Sequence, residues 1–327
     1  MSSLQEGDQV AILGPRRLGM LLILALSEER RKGRSPGIII SAIHRHFDLL
    51  ELAMKLGADL RVNNRSKDVK ADYDIVFDCS GSTSGFLSAI TSARREVHLK
   101  STCGAECFGA KQWTAFVVDE LCLVGWNWEA PADRSWFKTL DTPRTFHVLC
   151  LPSVQLRCKR TLEQIESFFA EGRVKFHVRT PQEALQHTIH LTDVGTDQSD
   201  WDSPFPRYDI ALVSSLKELD EVIRPDPVRN VGVSVLMSRG RIVLCAEDEA
   251  SVTTDDLLST RLLQGLIVRS SRCGSLPSAL QTLTENPNLP ILLQSSLITH
   301  HGLRNDLPSH LDTSLLPTSH KMIISNP

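Results

Sequence analysis

Long apolar runs are missing from this chain of 327 residues, and so are blocks of like charge and paired cysteines. No stretch approaches the roughly 20 apolar residues of a membrane span, so no membrane partner is expected. A formal charge of −3 with 23% charged residues leaves no basic field for nucleic acid and no charged interaction tail. The eight cysteines, at 79, 103, 107, 122, 150, 158, 245 and 273, include no CxxC pair. Neither a zinc ribbon nor a thioredoxin-type motif can therefore be read, and the expectation is reduced, mostly buried thiols in a cytoplasmic protein. Arg16-Arg17 ahead of Leu18 to Leu26 imitates a secretory signal. However, Glu6, Asp8 and the earlier run Val10 to Leu13 fit a buried strand, turn and helix better.

What is present alternates between two periods. "VAILGPRRLGMLLILAL" (Val10 to Leu26) carries a β-branched run into a glycine turn and out as a helix. "IIISAIH" (Ile38 to His44) reads as a buried parallel strand, and "FDLLELAMKLGA" as a helix stopped by Gly57. "DYDIVFDCSG", "EVHLKST" and "ELCLVGW" supply three more strands, with "STSGFLSAI" a short helix between the first two. This order predicts an α/β fold: a Rossmann-like parallel sheet with helices on both faces. Beyond about residue 140 the pattern loosens, although "TLEQIESFFAEGRV" still reads as an amphipathic helix. "TDQSDWDSPFP" (Thr196 to Pro206), rich in turn formers, marks the best boundary.

Motifs then return. "RYDIALVSS" at Arg207 echoes "DYDIVFDCS" at Asp72, offset by 135 residues. "RGRIVLCAED" at Arg239 echoes "RREVHLKST" at Arg94, and "LIVRSSRCG" at Leu266 echoes "LCLVGWNWE" at Leu121, both offset by 145. The expected organisation is a dinucleotide-binding domain over 1–140, a helical connection over 141–206, and a degenerate Rossmann-like half over 207–327. The copy should extend the first sheet at its sixth strand, near Leu121 to Trp126, or pack its own sheet there.

Taken in order, Gly14 to Gly19, "AMKLGAD", "DIVFDCSGS", "HLKST" and "VVDELCLVG" resemble the nucleotide-binding domain of the zinc-dependent medium-chain dehydrogenase/reductases, the alcohol and threonine dehydrogenase relatives. The C-terminal "SRCGSLPSALQTL", "LITHHGL" and "KMII" are similar to that family's tail. The resemblance implies an oxidoreductase using NAD(P)H on a small-molecule substrate. It also implies a zinc-bearing, barrel-like domain that is expected to be absent here, unless a protein partner supplies it. No cysteine–histidine set provides three ligands and an open position, so no zinc is expected and no catalytic residue is named.

The candidate cofactor residues lie at the carboxyl ends of the strands, where open α/β sheets bind ligands. In Gly14-Pro15-Arg16-Arg17-Leu18-Gly19 the first and third glycines of G-x-G-x-x-G survive, and Arg16 replaces the second. A Cβ there crowds a pyrophosphate and Pro15 removes an amide donor. The helix N-terminus and the arginine charges still suit an anion. Two alternatives stand: a weak cofactor site, or a turn that keeps only its packing role. After "SAIHRHF" no acidic residue is available for the ribose hydroxyls of NAD. His44 and Arg45, with His46, instead suit a 2′-phosphate, so NADP is favoured over NAD; a solvated basic turn is the alternative. By the resemblance, Ser80, Gly81, Ser101 and Thr102 border the cofactor, while Cys79 reads as a core thiol. Cys103-x3-Cys107 and His187-x2-His190 are read as structural. The resemblance also implies that Trp113, Trp126, Trp128 and Trp136, around the edge strand that pairs with another subunit in that family, form an apolar interface rather than a ligand cage. A second copy occupying that surface within the chain would favour a monomer. Two functions remain open: an oxidoreductase of the medium-chain type, or a non-catalytic pseudoenzyme that binds a nucleotide or a partner protein.

Overall fold

Apolar β-branched runs alternating with amphipathic segments build an α/β protein whose sheets are mostly parallel. The computed structural model describes residues 4–63, 72–101, 105–127, 145–167, 174–186, 207–224, 234–246 and 257–271, with short pieces at 281, 284–285, 298–303 and 321–325. Two compact units emerge, Met1–Ser80 with Cys273–Pro327, and Gly81–Arg272. No helix among the described residues is long and apolar enough to cross a membrane.

The first unit opens with β1 (Gln9–Leu13), α1 (Arg17–Arg31), β2 (Ile39–His44), α2 (Phe47–Lys55), β3 (Leu60–Asn63) and β4 (Tyr73–Asp78). Its strands lie in the order β3-β2-β1-β4, each neighbouring pair parallel. Met20 and Ile23 of α1 and Leu50 and Ala53 of α2 pack on Val10, Ile12, Ile40 and Phe77. Each large side chain so buried contributes about 1.5–3 kcal/mol. α1 ends with Arg30 and Arg31 in its last turn, where cations offset the exposed carbonyls, and Gly33 beyond it takes φ 69°.

The second unit contains α3 (Thr83–Ser92), β5 (Ala93–Leu99), α4 (Trp113–Val118), β6 (Cys122–Asn127), β7 (Phe146–Cys150), α5 (Pro152–Arg157), α6 (Lys159–Ser167) and β8 (Val174–Val178). It continues with β9 (Tyr208–Val213), α7 (Lys217–Ile223), β10 (Leu236–Ala246), α8 (Leu257–Leu263) and β11 (Ile267–Ser270). The strands follow the order β5-β11-β6-β10-β9-β7-β8. The stretch expected as a helical connection thus carries β7 and β8 besides helices. Runs of five residues such as "FHVLC" are too short for periodicity to separate strand from helix. In the C-terminal segment, β12 (Ile298–Leu303) and β13 (Lys321–Ser325) pair in parallel.

The repeated motifs occupy equivalent places. The run β9-α7-β10-α8-β11 has the element order of β4-α3-β5-α4-β6. In both copies the aspartate of "YDI" satisfies the first amide of a neighbouring strand. Asp74 Oδ2 accepts from Gln9 N–H at 2.8 Å, and Asp209 Oδ2 accepts from His147 N–H at 3.0 Å. As expected, the second copy joins the sheet at the sixth strand, since β10 pairs in parallel with β6, Arg241 opposite Cys122.

The manner of joining was not expected. β11 inserts between β5 and β6, parallel to the first with Ile267 opposite Glu96 and antiparallel to the second. Shifting Glu96 and Cys122 by the 145-residue repeat offset gives Arg241 and Ile267, so the two parallel pairings share one register. Leu123 and Val268, equivalent under the same offset, stand opposite one another in the antiparallel pair. A local pseudo-two-fold axis passes between them, and the two copies exchange sixth strands across it. The helices follow. α4 packs on β11, where Ser270 Oγ donates to Phe116 O at 2.9 Å, and α8 packs on β6 at Gly125.

Candidate functional site

The glycine turn forms as the sequence spacing requires. Gly14 takes φ 66° and donates its N–H to Ile43 O at 3.0 Å. A Cβ at Gly14 would stand 2.9 Å from Ser80 Cα, so the first glycine is needed both for its backbone angle and for this approach. At Gly19 a Cβ would meet Ile12 Cγ2 and Pro15 Cβ at 3.2 Å, the close helix–strand packing assigned to the third glycine. Between them Arg16 precedes α1 in extended conformation, and no side chain caps this helix start. Arg16, Arg17 and Leu18 are exposed.

Ser80 is held from below. Its amide donates to Asp78 Oδ1 at 2.8 Å, and Cys79 N–H donates to Leu13 O at 2.9 Å, tying the end of β4 to the end of β1. Asp78 is almost wholly buried. Burial pushes its carboxyl above the usual range, while the Ser80 hydroxyl and amide pull it back. Sequence reasoning missed Asp78, because an acid inside an apolar run such as "DIVFDCSG" has no periodic signature.

At the end of β2 the basic cluster is smaller in charge than its composition suggests. His44 is buried and its Nδ1 accepts from His46 N–H at 3.0 Å. Burial, then His46, Arg16 and Arg45, drive its pKa down to about 4, against a weak opposing effect of Asp48. His44 is therefore a neutral ring near pH 7, with its other nitrogen, Nε2, carrying the proton. Arg45 Nε donates to His46 Nε2 at 3.1 Å. Arg16 and Arg45 are the guanidinium charges near His44, with the Asp48 carboxylate opposing them. Gly14, Arg16, Gly19, His44, Arg45 and Ser80 all belong to the first unit.

Arg17, Leu18 and Cys79 belong to the first unit as well, and the remaining expected positions lie in the second unit or outside the described residues. Gly81, at φ 65°, opens the second unit, and Ser101 follows β5 there, half-buried. Thr102 and Cys103 lie outside the described residues, as do His187, His190, Trp128 and Trp136. Cys79 and Cys107 are buried thiols. Trp113 is interior, its indole N–H donating to Cys107 O at 2.9 Å and its ring set edge-on to Phe86. Trp126 faces Cys245 in register and donates to Gln164 Oε1 at 3.2 Å, so the interface it serves lies within the chain.

A second polar group, also missed, sits on β5. Glu96 and His98 alternate along the strand and Lys100, just past its end, keeps the same spacing, the signal that could have revealed them. His98 Nε2 and Glu96 Oε2 are 2.8 Å apart, and Arg269 Nε of β11 approaches the same oxygen at 3.4 Å. Burial lowers the His98 pKa although Glu96 opposes the shift. Lys100 Nζ bonds Ser271. Among the described residues no group of three or more His, Cys, Asp or Glu side chains is placed to hold a metal ion.

The geometry defines a Rossmann-like α/β unit with a glycine turn at the carboxyl edge of its sheet. No protein-family model matches the chain, and no curated protein does. Among solved structures, the chain is similar to zinc-dependent medium-chain alcohol dehydrogenases, mostly over about a third of its length. L-idonate 5-dehydrogenase from Escherichia coli matches at 24% identity over 31% of this chain and 30% of that one, with a TM-score of 0.27. 2R,3R-butanediol dehydrogenase from Bacillus subtilis matches at 12% identity over 100% of this chain and 53% of that one, with a TM-score of 0.39. A mycobacterial protein complexed with NADPH matches at 15% identity over 33% and 35%, with a TM-score of 0.26. The chain thus spans from about a third to about half the length of these structures.

Proposed function

We propose that the first unit binds a nicotinamide dinucleotide weakly at the Gly14–Gly19 turn, favouring NADP forms, and that the chain is an oxidoreductase of the medium-chain type. The observation that carries this reading is the placing of Arg16 and Arg45 around His44, beside an uncapped helix start. Two guanidiniums present planar donors to phosphate oxygens, and the amides of the first turn of α1 suit a pyrophosphate. The residues fit the group. Arg16 and Arg45 would hold its phosphates, and Ser80, fixed by Asp78, would border it. The bound dinucleotide would supply hydride transfer.

One observation favours the non-catalytic alternative for the second half. There β7 runs into Leu151-Pro152, and by the register that sets His147 where the first half has Gln9, Pro152 stands in place of Gly14, so that turn has no glycine and lacks an amide donor. The second half then serves as scaffold, and one nucleotide is expected per chain.

Titration with NADPH and NADH, followed by nicotinamide fluorescence, tests the reading. Loss of a charge-assisted phosphate contact costs about 1.5–3 kcal/mol, so Arg45→Ala should weaken NADPH roughly ten- to hundredfold and leave NADH nearly unchanged. Tight NADH binding, with no loss of NADPH affinity in Arg45→Ala, would sink the proposal.

A further inference from the structure

The sixth strands raise a question of partnership. A parallel sheet that stops at its last strand leaves a row of unpaired amides and carbonyls, an edge ready to accept another chain. Here neither copy keeps its own sixth strand beside its own fifth. β5 is followed by β11, β10 is followed by β6, and the two exchanged strands close antiparallel at Leu123 and Val268. Each crossover therefore steps over a strand from the other copy. β5-α4-β6 spans β11, and β10-α8-β11 spans β6.

The exchange is fixed by packing as well as by hydrogen bonding. α8 lies against β6 so closely that Gly125 has no room for a side chain, a Cβ there falling 2.4 Å from the Leu262 carbonyl carbon. Under the 145-residue offset Gly125 corresponds to Ser270. The Ser270 hydroxyl reaches Phe116 O and Leu121 O at 2.9 and 3.0 Å, and its amide reaches Leu121 O at 3.0 Å. Each copy's helix is thereby bonded or packed to the strand it has received rather than to the strand it precedes.

We infer that the second copy is a built-in partner subunit: reciprocal exchange of β6 and β11 occupies, within one chain, the edge that two chains would otherwise share. The protein is then a monomer, and a second copy of this chain finds no free sixth strand to pair with. The inference concerns the sheet seam and holds whether or not the glycine turn takes a nucleotide.

Two measurements on the full chain test it. Sedimentation equilibrium over a hundredfold range of concentration should give one mass, that of a single chain at 36.4 kDa. A mass rising towards two chains would overturn the inference. Val268→Ala, at the axis, should lower the thermal midpoint of wild type by some degrees, and in both proteins the midpoint should be independent of protein concentration. An association between chains makes unfolding depend on concentration, so a midpoint that climbs with concentration would refute it.

Discussion

Gly125 on β6 and Leu262 on α8 touch backbone to backbone, the ideal Cβ position at Gly125 lying 2.4 Å from both the carbonyl carbon and the oxygen of Leu262. Neither atom can swing aside as a side chain could. Gly125→Ala should destabilise the fold by about 1–3 kcal/mol, the usual cost of overpacking, and more if α8 must lift off. Chemical denaturation should show a lower midpoint. Unchanged stability would mean that α8 does not press on β6 as described.

The pH dependence of stability should carry the mark of His44. Its folded-state pKa is about 4, against 6.5 for an ordinary histidine. Between those values the unfolded chain binds a proton that the folded chain refuses, so stability rises with pH there. The contribution is present in full above about pH 6.5 and is lost as pH falls towards 4. His44→Gln, which keeps a neutral polar group, should flatten that part of the stability–pH curve. A curve of the same slope in the variant would assign the acid lability elsewhere.

Much of this was legible in the sequence, for reasons that can be named. Gly14 and Gly19 were readable because a backbone angle of 66° and a contact at 3.2 Å admit few other residues. The repeat was readable because "YDI" keeps the same aspartate bond in both copies. The strand exchange was not. A sequence offset says which strands are equivalent but not which of two equivalents a neighbour will choose, and β6 and β11 are both short. The charge state of His44 was hidden too, since it depends on burial and on the amide of His46.

Thiol chemistry offers an independent check on burial. The Cys150 thiol is pushed up to about 11 by burial, and Cys245 well above the ordinary range, again chiefly by burial. Only the thiolate attacks a disulfide reagent. Native protein at pH 8, treated with an aromatic disulfide and mapped by mass spectrometry, should leave both cysteines unmodified, and both should react once the chain is unfolded. Rapid labelling of either in the folded state would show that this interior opens readily.

Elemental analysis addresses the metal. Purified protein is expected to carry no stoichiometric zinc, because the cysteines lack ligand spacing. About one zinc per chain, lost when Cys103 and Cys107 are replaced, would contradict this.

The exchanged strands also set an order of events during synthesis. β5 leaves the ribosome long before the strand that will lie beside it, since Glu96 must wait for Ile267. At about 5–20 residues per second that interval is on the order of ten to thirty seconds. Throughout it the edge of β5, bearing Val97 and Leu99, has no permanent neighbour. β6, already made, can dock there transiently and must then be displaced. A nascent chain halted before β11 should consequently recruit holdase chaperones more strongly than the finished protein, and shortage of those chaperones should limit yield before any defect in the native state does.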